Sequence, residues 1–255
     1  MAISIDLTDK IALITGASQG IGAEIANTLH EAGAVVMLNH PDTPDGKTHA
    51  DASTIADALN ARRPGSAQVI GADVSRLEAV QSMMKAVRDQ FGPIDLLVNN
   101  AGILRDRTIA KMSPEDWRAV LEVNLSGVWY CCKYGLEIMK DGGSIVSISS
   151  LAADAGFAGQ SNYAAAKAGV QAMMRVLSRE CGKRGIRANS VAPGVVDSPM
   201  ALSIAESVKA EMLQQIPLRR FARPRDVADA VLFLCSPLAS YVSGLTVEVN
   251  GGWRG

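Results

Sequence analysis

Short apolar runs alternate with segments of helical periodicity from one end of the 255-residue chain to the other. The first run, residues 10–15, stops at a glycine, and the apolar residues between 21 and 29 then recur at helical spacing up to Gly33. A continuous apolar run bounded by glycine is typical of a strand buried in a parallel sheet, and glycine commonly ends a helix. This alternation limits the folds open to the chain more than any other feature.

The same succession recurs to the end of the chain, with no linker, internal repeat or low-complexity segment. The predicted strands cover residues 10–15, 35–39, 68–71, 94–98, 145–148, 187–191 and 245–249. The predicted helices cover residues 21–33, 48–62, 76–90, 113–138, 161–184, 201–215 and 224–236. We therefore expect an α/β fold in one domain, residues 1–255, with a doubly wound, seven-stranded parallel sheet and helices on both faces.

Charged residues are balanced and dispersed, with 25 Lys and Arg against 26 Asp and Glu. Such a chain offers no basic surface for nucleic acid and no polybasic segment for a membrane. No apolar run has transmembrane length and residues 1–6 do not resemble a signal peptide, so we expect a soluble, cytoplasmic protein. The cysteines are expected to be reduced core thiols, and no metal site is predicted because neither cysteines nor histidines have ligand spacing. These residues are Cys131, Cys132, Cys181, Cys235, His30, His40 and His49.

Polar motifs follow five of the predicted strands. In doubly wound sheets, ligands bind beyond the carboxyl ends of the strands. We therefore expect these motifs to converge on one site. They are residues 16–22 after the first strand, Asp73 after the third, residues 99–102 after the fourth, Ser150 after the fifth and Pro193-Gly194 after the sixth.

Tyr163 and Lys167 lie four residues apart, and so on one face of the predicted helix 161–184. An ammonium about 5 Å from a phenol favours the phenolate by roughly 3 kcal/mol at an effective dielectric near 20. That energy corresponds to about two pKa units, which brings a tyrosine towards the range of an acid/base catalyst. The same spacing also suits a packed tyrosine beneath a solvated lysine, and the neighbouring motifs favour catalysis.

The loop after the first strand carries Gly16, Gly20 and Gly22 immediately before a helix. Glycines at such a junction allow a pyrophosphate to approach the backbone and the helix amino end, although tight turns also need glycine for steric reasons. Asp73 is available for the adenine edge, and residues 100–102 could wall the ribose. A dinucleotide is the ligand that this combination favours.

Taken together, these motifs resemble the short-chain dehydrogenase/reductase family in its single-domain form, over essentially the whole chain. The resemblance implies a Rossmann-type fold. It rests on residues 15–22 (TGASQGIG), residues 99–102 (NNAG), Asn124, Ser150, Tyr163 with Lys167, and Pro193-Gly194.

The resemblance also implies roles for four residues. Tyr163 would be the general acid/base, and Ser150 would polarise the substrate oxygen. Lys167 would lower the tyrosine pKa and hold the nicotinamide ribose. Asn124 would keep a helix locally open for a water chain, although it could equally bond only to backbone. The implied reaction is direct hydride transfer between the nicotinamide C4 and a carbonyl carbon, with Tyr163 delivering the proton.

The nucleotide is expected to contact the motif residues and a few of their neighbours. These are Gly16, Ser18, Gln19, Gly20, Ile21, Gly22, Asn39, His40, Asp73, Val74, Asn100, Ala101, Gly102, Tyr163, Lys167, Pro193, Gly194, Val196 and Ser198.

The choice between NADH and NADPH depends on the end of the second strand. An acidic residue there would bind the ribose 2′-hydroxyl and repel a 2′-phosphate. His40 holds that position, preceded by Asn39, and Gln19 holds a position often occupied by arginine in NADPH users. Asn39, His40 and Lys47 could bind the phosphate, whereas Asp42 and Asp45 would oppose it. NADP(H) is slightly favoured over NAD(H).

Within the family, several segments look like the 3-oxoacyl thioester reductases, whose substrates are carried by acyl carrier protein or coenzyme A. These segments are residues 102–106, Lys111-Met112, Trp117 and residues 249–252. Phe157, Met200 and Leu202 suggest an apolar-walled substrate pocket, although packing would explain them equally. A carrier would need a basic patch, for which a solvated helix face is the alternative explanation. The candidates are Arg105, Arg107, Lys111, Arg175 and Arg179.

Two other functions remain open: a dehydrogenase of a secondary alcohol, polyol, sugar or steroid, and a non-catalytic dinucleotide sensor. A sensor would typically have lost Tyr163 or Lys167, and both are present. Members of the family are usually tetramers. The apolar residues 128–130, those of helix 161–184 and the terminal Trp253 would suit such an assembly, or equally a core.

Overall fold

The apolar runs form a single parallel sheet in the computed structural model, which describes residues 5–197 and 206–254. Over this part of the chain the sheet has seven strands. They are β1 Ile11–Ile14, β2 Val35–His40, β3 Ala67–Gly71, β4 Ile94–Asn99, β5 Met139–Ile148, β6 Arg187–Pro193 and β7 Thr246–Val249.

The strand order is β3-β2-β1-β4-β5-β6-β7, and every neighbouring pair is parallel. The chain therefore builds outwards from β1 to β3, returns to β4, and builds outwards again to β7. The reversal lies between β1 and β4, where a crevice opens beyond the carboxyl ends of the strands. The predicted α/β class and doubly wound topology are confirmed.

Helices connect the strands and cover both faces of the sheet. They are α1 Gly20–Glu31, α2 Lys47–Arg62, α3 Leu77–Phe91, α4 Pro114–Leu121, α5 Gly127–Ile138, α6 Ala152–Ala155, α7 Ser161–Glu180, α8 Glu206–Gln215 and α9 Pro224–Cys235. None of the helices in the described ranges is long and apolar enough to span a bilayer.

The core has two layers, because successive side chains of a strand point to opposite faces. In β1, Ile14 packs into the layer under α1, α2 and α9, whereas Leu13 packs into the layer under α3, α5 and α7. Val98 and Leu97 of β4 divide in the same way. Burial on both faces explains why the strands are apolar runs rather than alternating patterns.

The structure departs from the predicted elements mainly between residues 113 and 148. Ser113 caps α4 as predicted, its Oγ accepting a hydrogen bond from the Asp116 amide at 3.0 Å. The expected continuous helix 113–138 is interrupted by a π-helical turn, Glu122–Ser126. Strand β5 begins at Met139 rather than at residue 145, with an irregular register opposite Ile94 and Leu96 of β4.

Candidate active site

A cavity of about 780 Å³ lies along the carboxyl ends of the central strands. It extends from the loop after β1 to the loop after β6, across the reversal of strand order. Most of the predicted site residues line it: Gly16, Ser18, Gln19, Gly20, Ile21, Gly22, Asn39, Asp73, Val74, Asn100, Ala101, Gly102, Ser150, Tyr163, Lys167, Pro193, Gly194 and Val196. His40 and Asn124 are not in the lining, and Ser198 lies outside the described residues.

Two glycines of the loop after β1 are required by the protein's own backbone. A Cβ on Gly16, whose φ is +63°, would lie 2.8 Å from the Cα of Ala101, and one on Gly22 would lie 2.3 Å from the carbonyl oxygen of Gly16. The steric explanation of these glycines is therefore correct. The amino end of α1 lines the cavity without a side-chain cap at Gln19. Its unsatisfied amides fit the pyrophosphate of a dinucleotide.

Thr15 and Asn100 fix that loop to the one after β4. Thr15 Oγ1 accepts hydrogen bonds from the Asn100 and Ala101 amides, at 3.0 and 3.1 Å. The Asn100 side-chain amide donates to the carbonyl oxygens of Thr15 and Gly16, at 3.0 and 2.9 Å. Two walls of the cavity are thereby held together by four hydrogen bonds. The sequence analysis missed this role of Thr15, although the residue directly precedes the glycine loop.

Asn39 acts inside the protein as well as at the cavity. Its Nδ2 donates to the carbonyl oxygens of His40, Ile70 and Ala72 at 3.0–3.3 Å, and its Oδ1 accepts from the Gly16 amide at 3.3 Å. With its polar atoms engaged in this way, the side chain joins β1, β2 and β3 and is not free to bind a phosphate.

The expectation that His40 contacts the nucleotide is not supported by its position. The side chain is 1% exposed, and its Nδ1 lies 2.9 Å from the Pro41 carbonyl oxygen. Its Nε2 lies 3.2 Å from Nδ1 of His49 on α2. Because a carbonyl can only accept, Nδ1 of His40 carries a proton and donates to Pro41. Pro41 and Thr48 line the cavity in its place.

The catalytic candidates meet where β5 ends and α7 begins. The Ser150 Oγ accepts from the Ala152 amide at 3.1 Å and forms a hydrogen bond with Tyr163. Lys167 Nζ lies 5.6 Å from the centre of the Tyr163 ring and donates to the Ile148 carbonyl oxygen at 2.8 Å. The helical spacing therefore brings the phenol, the ammonium and the serine together as predicted.

The electrostatics differ from the expectation that Lys167 lowers the tyrosine pKa. Burial raises the pKa of Tyr163 to about 12, the Ser150 hydrogen bond opposes this rise, and the negative charge of Asp106 adds to it. Burial also lowers the pKa of Lys167 to about 8. The expected lowering of the Tyr163 pKa is not found, because removing both groups from water disfavours both charged forms. Part of the Tyr163 side chain nevertheless faces the cavity.

Asn124 lies in the π-helical turn Glu122–Ser126 and is fully buried. Its side chain accepts from the Ile103 amide at 2.8 Å and donates to the Ile103 carbonyl oxygen at 2.9 Å. The helix is thus locally opened, and the side chain bonds to backbone. A Cβ on Gly102 would come within 3.1 Å of Asn124 Oδ1 and 3.6 Å of Lys167 Nζ. Gly102 therefore leaves the space between the turn and the lysine open.

Beyond Tyr163 the cavity has an apolar wall. Phe157 contributes to it as predicted, together with Val208 and Met212 of α8. Met200 and Leu202 lie outside the described residues. Trp253, which the sequence suggested for an assembly surface, is 4% exposed and lines the cavity instead.

The predicted basic patch is divided between two places. Arg105, Arg107 and Lys111 are exposed in the segment after β4, and the Arg107 amide of this segment bonds to the Gly159 carbonyl oxygen beside the cavity. Arg175 lies twelve residues beyond Tyr163, or about 18 Å further along α7, with its Cα near Gly244. Arg179 lies one turn further still. The five residues do not form one surface.

Comparison with known proteins places the chain in a family. The family described as enoyl-(acyl carrier protein) reductase matches residues 16–254. An acetoacetyl-CoA reductase of Synechocystis sp. is 42% identical over 252 residues, covering 98% of each chain. A 3-oxoacyl-[acyl-carrier-protein] reductase of Staphylococcus epidermidis is 39% identical over 246 residues, 96% of this chain and 98% of the relative.

Solved structures give the same result. A short-chain dehydrogenase/reductase from Brucella melitensis, described as a glucose/ribitol dehydrogenase, superimposes with a TM-score of 0.92 at 35% identity over 98% of both chains. A blue fluorescent protein from a metagenomic library, in complex with NADPH, has a TM-score of 0.92 at 33% identity over 98% of this chain and 100% of its own. The chain belongs to the short-chain dehydrogenase/reductase family. It is an oxidoreductase with a Rossmann-type fold, acting on carbonyl and alcohol groups.

Proposed function

We propose that this protein reduces 3-oxoacyl thioesters with NADPH. The observation that carries the proposal is the position of Ser150 and Tyr163, between the glycine-loop end of the cavity and its apolar-walled end. The named activities of the two curated relatives support this substrate class. A nicotinamide cofactor is supported by the uncapped α1 amino end and by the NADPH in the related structure.

The residues of this chain hold the substrate carbonyl and move its proton. Ser150 Oγ accepts a hydrogen bond from the Ala152 amide, and its hydroxyl, which bonds to Tyr163, can turn to donate to a substrate carbonyl oxygen placed beside the two side chains. Tyr163, whose pKa burial raises, is protonated near pH 7 and delivers a proton to the same oxygen. Lys167, charged below about pH 8, favours the phenolate that Tyr163 then becomes. The bound nucleotide supplies the hydride.

The expected preference for NADPH depends on which charged side chains lie near the end of β2, where the ribose 2′-phosphate would bind. Of the described residues between 39 and 51, the cavity lining includes Asn39, Pro41 and Thr48, so neither Asp42 nor Asp45 lines it, and the acidic residue in the lining after β3 is Asp73. The lining there also lacks Arg and Lys, and Lys47 is paired with Asp51. A 2′-phosphate is therefore tolerated but gains no charged partner. Because such a partner contributes about 1.5–3 kcal/mol, we expect preference for NADPH over NADH to stay below about tenfold.

The thioester carrier would dock beside the cavity mouth. Of the five basic candidates, only Arg105, Arg107 and Lys111 belong to the segment that borders the site. Changing Arg105 and Arg107 to Ala should therefore raise KM for an acyl carrier protein substrate more than KM for the coenzyme A thioester. Arg179→Ala is the matched control and should change neither KM.

We also propose a cytoplasmic homotetramer. All four cysteines are free and buried, as is common in a reducing compartment. Large apolar side chains remain exposed on α5 and α7 and around α9 and β7, where association of subunits would bury them. They are Trp129, Val176, Phe233, Leu238, Tyr241 and Leu245. Light scattering on the purified protein should give about four times the monomer mass.

The reaction itself is tested by following oxidation of NADPH, and separately NADH, with acetoacetyl-CoA. We expect turnover with both nucleotides and faster turnover with NADPH. If nucleotide binds but neither is oxidised, the proposed substrate class is wrong. The dehydrogenase alternative, which the sugar-alcohol name of the Brucella structure favours, would then be screened with NAD(P)⁺ and secondary alcohols.

A further inference from the structure

The last residues of the described chain fold back towards the active site. After β7 the chain turns through Gly251 and Gly252, whose φ angles are +65° and +85°. A Cβ on either residue would meet the segment after α8, at 2.9 Å from Ile216 and 3.0 Å from Pro217. The turn therefore needs glycine for both conformation and space. Asn250 Oδ1 accepts from the Gly252 amide at 3.0 Å and helps to hold this turn.

This turn places Trp253 in the wall of the cavity. The indole Nε1 donates to Gln215 Oε1 at 3.2 Å, and the ring packs with Leu151 and Ile216. The Trp253 and Phe157 rings are in contact, their centres 5.3 Å apart at 36°. A tryptophan held on several sides in this way is a fixed wall rather than a mobile tail.

The substrate end of the cavity has an apolar part and a polar part. Phe157, Met212 and Trp253 pack together in the apolar part. Gln160 Nε2 donates to Asp106 Oδ2 at 2.8 Å in a polar, exposed part of the lining. The thioester arm of a substrate is polar and must reach solvent, so it would leave past Asp106 and Gln160, with the alkyl end of the acyl chain towards Trp253.

We propose that Trp253 limits the acyl-chain length that the enzyme accepts. This inference rests on the proposed function and assigns its substrate class more narrowly, to short-chain 3-oxoacyl thioesters. Trp253 blocks the direction in which additional methylene groups would extend. Discrimination of one methylene by an apolar pocket amounts to about 10–200-fold, so truncation of the wall has a measurable effect.

The test compares kcat/KM for acetoacetyl-CoA and 3-oxooctanoyl-CoA with saturating NADPH. In Trp253→Ala, the ratio of the long to the short substrate should rise by at least about tenfold over wild type. Trp117→Ala, which removes a half-exposed indole outside the cavity lining, is the matched control and should leave the ratio unchanged. An unchanged ratio in folded Trp253→Ala overturns the inference.

Two additions keep the outcome interpretable. If circular dichroism shows that Trp253→Ala does not fold, Trp253→Leu and Phe157→Ala are measured in its place, and an unchanged ratio in both overturns the inference. Calorimetry with butanoyl-CoA and octanoyl-CoA gives a second readout without turnover, in which Trp253→Ala should favour octanoyl-CoA by about tenfold. If wild type reduces no 3-oxoacyl thioester, the proposed function fails, and the affinity ratio still decides the role of Trp253.

Discussion

The two ends of the cavity are built by different means. The nucleotide end consists largely of main chain from short loops that directly follow strands, fixed to one another by Thr15 and Asn100. The substrate end consists of side chains from distant segments, with Phe157, Met212 and Trp253 forming one wall. A binding site formed by main-chain atoms keeps its shape when side chains are substituted, whereas a site formed by side chains changes shape with each substitution. One end therefore suits a constant cofactor and the other a variable substrate.

Tyr163 stands between the two ends, and its hydroxyl should matter for chemistry alone. Tyr163→Phe keeps the ring but removes the proton donor, so we expect turnover of acetoacetyl-CoA to fall by about 10²- to 10⁴-fold. Tyr241→Phe, at a fully exposed position, is the matched control. Retention of more than about a tenth of wild-type turnover would exclude Tyr163 as the general acid.

Lys167 should destabilise the fold at neutral pH. Burial lowers its pKa to about 8 from 10.5, so between these pH values the unfolded chain binds more protons than the folded protein. The contribution of Lys167 to the free energy of unfolding therefore rises by roughly 3 kcal/mol as the pH increases from 8 to 10.5. The unfolding free energy of wild type minus that of Lys167→Met should increase by this amount from pH 8 to pH 10.5. A difference that stays constant over this pH range would refute the lowered pKa of Lys167.

Substitution of Gly22 tests whether NADPH binding depends on the close approach of the two backbone loops. An added Cβ would lie 2.3 Å from the Gly16 carbonyl oxygen and 2.4 Å from Asn100 Nδ2, forcing the two loops apart. Overpacking costs about 1–3 kcal/mol, so Gly22→Ala should weaken NADPH binding by roughly 5–150-fold. Gly182→Ala, where the new methyl meets open space, should bind NADPH like wild type. Unchanged binding by Gly22→Ala would show that the loop spacing is not critical.

Of the substitutions considered, Asp106→Asn should have the smallest effect, because it only removes a negative charge near Tyr163. Its carboxylate raises the pKa of Tyr163, so Asp106→Asn should lower that pKa while an amide oxygen remains to accept from Gln160. The pH profile of 3-hydroxyacyl-CoA oxidation, which needs the phenolate, should then move to lower pH by less than about one unit. Asp141→Asn, in a surface ion pair with Arg184, is the control. A shift to higher pH would contradict the assigned sign.

The sequence located the loops of the nucleotide end because each loop directly follows its strand in the chain, although it did not reveal the internal hydrogen bonds of Asn39 and His40. An apolar run followed by glycines or polar residues fixes both a strand and the loop at its carboxyl end. The topology of parallel sheets then brings these loops together. Tyr163 and Lys167 were predictable for the same reason, since four residues in one helix determine their proximity.

Features that depend on tertiary packing were not predictable. The burial of His40 beneath His49 and the placement of Trp253 in the cavity wall both depend on how distant segments meet. The pKa of Tyr163 was misjudged because a spacing gives the distance between charges but not their removal from water. The π-helical turn at Asn124 has no periodicity signal of its own, so the local opening of this helix was expected only from the family resemblance.

The central claim is that the backbone loops bind the nucleotide, whereas Tyr163 serves the chemistry alone. It is tested most directly by titrating NADPH into wild type, Tyr163→Phe and Gly22→Ala in parallel, with turnover measured on the same samples. The account predicts that Tyr163→Phe binds NADPH within about threefold of wild type while losing turnover. Gly22→Ala should lose affinity and regain turnover at high NADPH. Loss of NADPH binding in Tyr163→Phe, together with normal binding in Gly22→Ala, would contradict it.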